Sequence, residues 1–310
     1  PRTRRRRTTP RRQTGRAMLP SEAKRRADLS DRWLSARLDR VRADVDKALH
    51  RSRVDLGAAL RERWPDGDAP VTVADIAEIR RIVNAQTDVL GRTLAGLSIQ
   101  ARQDLQARAV EDVARVWALA TSGEMREIVD LLTGTLPDIA TDPAQHARDL
   151  GAALGRHAVA AAVQRESRAV MIRRLDLQVR AKAPRISTSL DVDASLTYHA
   201  AAQTSMEVAS VAPQQQVERV EFMKRDVEID DIKTNHPISR VLNGQTVKIQ
   251  APFRAKVSDV EREAALMGRS TGASGVLWSL QSDSWVGLTL PAHYNERGRV
   301  QMIAKSWMEG

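Results

Sequence analysis

From position 21 onwards, apolar residues recur at helical spacing. Leu34, Leu38, Val41, Val45 and Leu49 step by three and four, Leu56 and Leu60 continue the stripe, and Arg, Asp and Glu fill the positions between. The run ends at Trp64-Pro65-Asp66-Gly67, a helix breaker. Thr72 with Asp75 three residues later is the spacing of a capping box. The second helix it opens carries Val73, Ile76, Ile79, Val83, Leu90, Leu94 and Leu97. Its pattern persists through Leu105, Val110, Val113 and Trp117 to a stop at Ser122-Gly123, with Gly91 and Gly96 as candidate bends or interruptions. A shorter helix over about 124–136 precedes Pro137. Pro143 suits the first position of the next helix, whose stripe runs through Leu150, Leu154, Val163, Val170, Ile172 and Leu175. Within it, positions 158–163 are nearly all small and suit close helix–helix approach. A last short helix is expected within 189–210, closed by Pro213.

The character changes after Pro213. Strands are expected at 217–223, which alternates, at 245–249 and at 275–280, punctuated by Asn243-Gly244, Gly268, Gly272, Gly287 and Gly298. Nothing repeats at a fixed period, so a solenoid is not expected. The fold class is therefore mostly α. A region of long antiparallel helices over 21–210, elongated as a hairpin or bundle, precedes a small α+β domain over 211–310. Long helices of this kind serve packing and assembly more than chemistry. No apolar stretch approaches the roughly 18–20 residues of a spanning helix, so no membrane role is expected.

Charge adds a third segment. Positions 1–26 hold eleven Lys or Arg and one acid, Glu22, a net +10 that equals the formal excess of the whole chain. Positions 27–310 balance 38 basic against 38 acidic residues. Residues 1–20 are almost devoid of apolar side chains, and such a segment is expected to be disordered when free. Arg2, Arg4, Arg5, Arg6, Arg7, Arg11, Arg12 and Arg16 then form a polyanion-binding arm. It would hold DNA or RNA through phosphates and not base edges; docking on an acidic protein surface is the blander reading. The arm lacks the apolar core of a secretory signal and the amphipathicity of a transit peptide. The expectation is a soluble intracellular protein that keeps its tail, with Pro1 as the start left by methionine trimming.

The chain has no cysteine, which excludes disulfides, thiolate metal sites and a cysteine nucleophile. Six Trp, two Tyr and two Phe are too few for a base-stacking platform. There is no HExxH, phosphate-binding Gly-rich loop, GxSxG elbow or GxGxxG. His50, His146, His157 and His199 lie in helical stretches, where a lone histidine usually packs or faces solvent. No cofactor is expected.

Two strings in the last hundred residues stand out. One runs from His236-Pro237 through Ser239 to Asn243-Gly244-Gln245; the other is Pro291-Ala292-His293-Tyr294-Asn295-Glu296-Arg297-Gly298. Together they resemble the C-terminal domain of the phage head morphogenesis family, minor capsid proteins similar to protein F of phage Mu. In that family Cys-x-x-Cys and a following Leu-(Asp/Asn)-Gly-(Gln/Lys) are answered by Pro-x-His-x-Asn-Cys-Arg-Cys. The resemblance covers about 40 per cent of the chain, from Lys182 to Ile303. His236 and Ser239 stand at the first two cysteine positions, Glu296 and Gly298 at the last two, while Pro291, His293, Asn295 and Arg297 match. With Ser239 a poor ligand and Gly298 none, hydrogen bonds and packing are expected to replace the metal. Asn243-Gly244 would then make a tight turn, and Pro291, His293 and Arg297 would tie back the final strand.

The resemblance implies a low-copy structural protein of the virion interior, made in the bacterial cytoplasm, and not an enzyme. Its implied partners are the portal protein and, through the arm, packaged double-stranded DNA, with self-association and the major capsid protein as further contacts. Its implied task is head assembly or DNA delivery. Two other classes remain open at this point. A non-viral, sequence-independent DNA-binding or nucleoid protein would explain the arm and the helices but not the two strings. A metal-dependent hydrolase would use His236, His293 and Glu296, a known type of zinc set.

Overall fold

The computed structural model describes residues 20–121, 123–136, 142–212, 220–227, 236–294 and 296–308. Seven α-helices and six strands occur among them. Helix α1 (Pro20–Arg63), α2 (Asp75–Thr121) and α5 (Arg168–Val211) hold 44, 47 and 44 residues. At 1.5 Å per residue each is roughly 65–70 Å long. α3 (Met125–Thr133) and α4 (Pro143–Val163) are shorter. The molecule is mostly α, a long helical region followed by a small α+β part.

The predicted stripes become the core. Leu34, Leu38, Val41, Val45, Leu49, Leu56 and Leu60 of α1 are all buried, as are Ile79, Val83, Leu90, Leu94, Leu105, Val110 and Val113 of α2. Each such side chain contributes about 1.5–3 kcal/mol on leaving water. These residues divide into two clusters along the bundle. At the far end the second half of α1, the first half of α2, the first half of α5 and α4 pack together. At the other end, the foot, lie the start of α1, the end of α2, α3, the end of α5 and the strands. The apolar core is therefore continuous across position 210.

Three helical expectations need correction. Gly91 and Gly96 do not interrupt α2. Gly91 faces Ala144 and Ala147 of α4, and it is Gly151 of α4 that the close approach needs, since a Cβ there would stand 2.9 Å from Thr87 Oγ1. The stripe read as one helix from 143 to 175 is two helices, parted at Gln164–Ser167. Arg165 takes φ 52° there, with Glu166 N–H on the Ala161 carbonyl and Arg165 N–H on that of Ala162. That is a Schellman stop with arginine where glycine is usual. Ser167 then caps α5. Finally, the short helix expected within 189–210 is the second half of α5, which starts at Arg168 and runs through Pro184, that proline facing solvent while Val179, Ile186 and Leu190 pack on the bundle. Tertiary burial there outweighs the roughly 3 kcal/mol that an interior proline costs. Elsewhere α1 ends at Arg63, before Trp64-Pro65, and α2 at Thr121, before Gly123, near the expected stops. Asp75 accepts from both the N–H and the hydroxyl of Thr72, each at 2.9 Å, and the Arg168 guanidinium also lies against it.

The C-terminal part builds two antiparallel three-stranded sheets. One has the order β2 (Thr246–Lys248), β1 (Phe222–Val227), β6 (Arg299–Ala304); the other β3 (Phe253–Lys256), β5 (Ser284–Gly287), β4 (Ser279–Gln281). α6 (Pro237–Leu242) and α7 (Val257–Leu266) pack beside them. The strands expected at 245–249 and 275–280 overlap β2 and β4. The one expected at 217–223 meets β1 only at Phe222 and Met223, and positions 217–219 lie outside the described residues. β1 turns Phe222, Lys224 and Asp226 inward. Two charged residues on the buried face mask the apolar alternation that marks a half-buried strand.

Candidate functional site

The eight arginines of the arm, Arg2 to Arg16, and Asn295 lie outside the described residues. Of the other residues of the two strings, His236, Ser239, His293, Glu296 and Gly298 meet in one place. Pro237 opens α6, and His236 caps it: the ring Nδ1 accepts from Ile238 N–H at 3.3 Å while Nε2 faces the Ser274 carbonyl at 2.7 Å. This arrangement requires a neutral ring with its proton on Nε2. Burial holds His236 down to about 4, helped by the neighbouring His293 and Arg269, with the Ser274 carbonyl opposing. α6 ends in a type II turn at Asn243-Gly244. Gln245 N–H bonds the Leu242 carbonyl at 2.8 Å, and Gly244 takes φ 83°, the position of that turn that favours glycine.

The second string folds back onto α6 after the cis Leu290–Pro291 bond. His293 stacks on His236 with ring centroids 4.4 Å apart. Its Nδ1 lies 2.6 Å from the Tyr294 carbonyl, and its Nε2 2.7 Å from Ser239 Oγ and 3.3 Å from Glu296 Oε2. The Ser239 hydroxyl donates to Glu296 Oε1 at 2.8 Å, and Oε2 accepts from Ala292 N–H at 3.1 Å. Ser239, His293 and Glu296 are 2, 8 and 4 % exposed. A Cβ on Gly298 would stand 2.9 Å from Glu296 Oε1, so positions 236, 239, 296 and 298 all converge.

What fills that convergence is a hydrogen-bonded knot. A zinc site of the kind the resemblance implies needs about four N or S donors in tetrahedral array. Here both nitrogens of His236 are engaged with backbone, His293 Nδ1 likewise, Ser239 offers a hydroxyl and Gly298 nothing. These residues do not fit a metal, and among the described residues no group of three or more His, Asp or Glu is disposed to hold one. Nor do Ser239, His293 and Glu296 form a catalytic relay. A relay needs the acid on the ring nitrogen opposite the hydroxyl, whereas here both lie on the Nε2 side.

Arg297 reaches the other way, to the helices. Its guanidinium lies 2.8 Å from Asp39 of α1 and 3.8 Å from Asp191 of α5, and Arg42 of α1 holds Asp191 at 2.9 Å. Burial pushes the Asp191 carboxyl above its ordinary value, the two arginines opposing. The motif arginine thus ties the last strand to the helices and not only to its own domain.

Sequence reasoning missed a second polar cluster beneath β1. Lys224 is fully buried, its Nζ 2.5 Å from the Leu288 carbonyl and 3.3 Å from Gln203 Oε1, and 5.2 Å from the Phe253 ring centroid. Burial brings this lysine down to about 8, with Glu207 opposing. Gln203 Nε2 donates to Glu207 Oε1 at 2.7 Å and to the Ile249 carbonyl at 3.0 Å. Gln203 and Glu207 are four apart on α5, the one spacing that could have flagged them as a pair. Comparison of the chain with protein-family models, with curated proteins and with solved structures gives no match.

Proposed function

We propose that this chain is a minor head protein of a bacteriophage particle, a low-copy structural component of the virion interior. Its long helices dock on the portal protein, and residues 1–20 contact packaged double-stranded DNA. Its role is in head assembly or DNA delivery and not in catalysis. One observation carries the reading. The two strings that resemble the head morphogenesis family, whose near ends Gln245 and Pro291 lie 46 positions apart, fold into one buried knot at the four positions where that family carries its cysteines. An accidental likeness between two short strings gives no reason for them to meet in space. The arm adds support, because DNA inside a filled head is very concentrated and a segment with eight arginines and no acid is drawn to phosphate.

The test is mass spectrometry of density-purified, DNA-filled particles, with copy number measured against the major capsid protein. A few to a few dozen copies per particle is the expected result. Absence from clean particles, with the protein found on chromosomal DNA, would replace the reading with that of a sequence-independent DNA-binding protein. Deleting residues 1–20 should abolish salt-sensitive DNA binding and spare portal binding. With about six to ten phosphate contacts, affinity should fall roughly 10³–10⁵-fold between 50 and 200 mM salt. Binding that survives the deletion with the same salt slope overturns the role given to the arm.

A further inference from the structure

The cluster beneath β1 brings a nucleophile, an acyl group and a proton carrier together, with Gln203 touching both Lys224 and Glu207. Lys224 Nζ touches two neutral carbonyl oxygens, of Gln203 and Leu288, with the Phe253 ring at its side. Gln203, 5 % exposed, holds its amide nitrogen against the Glu207 carboxylate. Burial discourages the ammonium form, so a share of Lys224 is free amine near neutrality and its lone pair is available.

We propose that Lys224 and Gln203 join in an intrachain isopeptide bond. The Lys224 amine attacks Cδ of the Gln203 carboxamide. A bond forms between Nζ and Cδ, the bond between Cδ and Nε2 breaks, and ammonia leaves. The proton that Nζ gives up passes through the Glu207 carboxylate to the departing Nε2, which Glu207 already contacts. No electrons are gained or lost and no co-reactant is needed. In the present arrangement Nζ lies against Oε1; attack needs the lysine chain to shift so that Nζ meets the face of the amide at Cδ, with Nε2 kept on Glu207. Holding both groups in one place supplies the drive that two free amides and amines lack, since well-oriented intramolecular partners reach effective molarities of about 10⁵–10⁸ M. The product ties the end of α5 to β1, a covalent link between the helices and the sheet. It stands whether or not the protein belongs to a phage head.

The experiment is intact-mass measurement on the purified full-length protein, fresh and after incubation at about pH 9, above the value of about 8 to which burial brings this lysine. The expected mass lies about 17 Da below that of the sequence, the loss of one ammonia. Peptide mapping should find a branched peptide joining the segments of Gln203 and Lys224, with tryptic cleavage after Lys224 blocked. Lys224→Arg should restore the sequence mass, and Glu207→Gln should slow the reaction by about 10²–10⁴. An unchanged mass in both wild-type samples overturns the proposal without reference to any variant. So does a loss that mapping places at Asn243-Gly244, where succinimide formation also releases ammonia.

Discussion

The far half of the helical bundle and the foot on which the strands sit are filled with different materials. The far half is almost pure hydrocarbon: Val45, Leu49, Leu56, Leu60, Ile79, Leu90, Leu94, Leu154 and Leu175 form one cluster. A buried polar exception, Thr87, returns its hydroxyl to the Val83 carbonyl of its own helix. The foot buries Asp191, His199, Gln203, Lys224, Asp226, Ser239, His293, Glu296 and Arg299 alongside its apolar residues. Hydrocarbon packing is non-directional and tolerates exchange at constant volume. A buried polar network is directional, and removing one member strands the others. The two halves should therefore respond differently to changes of similar size.

The largest effect is expected at the knot. Glu296→Ala takes the acceptor from both the Ser239 hydroxyl and the Ala292 N–H, and should cost about 3–5 kcal/mol. Leu94→Ala, at a fully buried position of the far half, should cost about 2–5 kcal/mol as a cavity. The conservative exchanges separate the two regions more sharply. Leu94→Met should cost under about 1.5 kcal/mol, while Glu296→Gln puts a donor where an acceptor is needed and should cost about 1–3 kcal/mol. Urea unfolding of the four variants measures all of this. Equal costs for the two conservative exchanges would remove the distinction.

Next comes the tie between the regions. Arg297→Ala leaves Asp191 with Arg42 as its remaining ion-pair partner, and should cost about 1–2 kcal/mol at neutral pH. Asp191 is a carboxyl whose folded value lies above its ordinary one. Such a group makes no difference below the unfolded value, where both states are protonated. It lowers stability as pH rises through the window above that value. Removing Arg297 raises the folded value further, so the variant's deficit should shrink as pH falls through that window. Asp191→Asn in the Arg297→Ala background should recover part of the loss at neutral pH. A deficit that is flat with pH would place the effect of Arg297 elsewhere.

The histidines give the foot an opposite and more visible dependence. His236 is held at about 4 and His199 at about 3, against an ordinary value of 6.5. For His199 burial is again the first cause and Arg299 the second, with the Gly298 backbone opposing. Folded below their unfolded values, both histidines leave the folded state short of a proton that the unfolded chain takes up in acid. Stability is therefore lost as pH falls from about 6.5 towards 4. Hydrogen exchange should show the foot opening in that range before the far half. His236→Asn keeps a good helix cap and removes the titration, so its acid midpoint should fall by roughly half a unit. Simultaneous opening of both halves would show that acid acts on the molecule as a whole.

The same contrast explains what was legible. The far half could be read because an apolar period of 3.6 needs no knowledge of partners: Val45 to Leu60 and Ile79 to Leu94 already mark a pair of helices, and the same stripes run on into the foot through Leu34 and Trp117. In the foot, β1 hides its core face behind Lys224 and Asp226, and the β4–β5 hairpin turns on Ser282-Asp283, with φ 45° and 59°, where Asn-Gly would have announced it. The knot was half legible. The two strings marked its residues, but that His236 would turn its Nε2 to the Ser274 carbonyl, and that Arg297 would reach Asp39 and Asp191 on the helices, depends on contacts between residues 38 to 258 apart. The Lys224, Gln203 and Glu207 cluster carried no motif at all.

The smallest expected effect concerns the helix stop that sequence did not show. Helix α4 ends at Val163 and is followed by Arg165 in the left-handed conformation, closed by both Schellman hydrogen bonds, and the usual signal for that geometry, a glycine, is missing. A non-glycine residue pays about 1–2 kcal/mol to sit there, against about 0.5–1 kcal/mol that glycine loses through the freedom of the unfolded chain. Arg165→Gly should therefore stabilise the protein by roughly 0.5–1 kcal/mol, a rise of about 1–4 °C in melting temperature for a chain of this size. Arg165→Val, β-branched and exposed at the same φ, should destabilise it by a comparable amount. Because the side chain faces solvent, the pair of variants isolates backbone conformation from packing. If glycine brings no gain and valine no loss, the break between α4 and α5 is held by the Ser167 cap and by the Val71 N–H on the Glu166 carbonyl, and not by the conformation of Arg165.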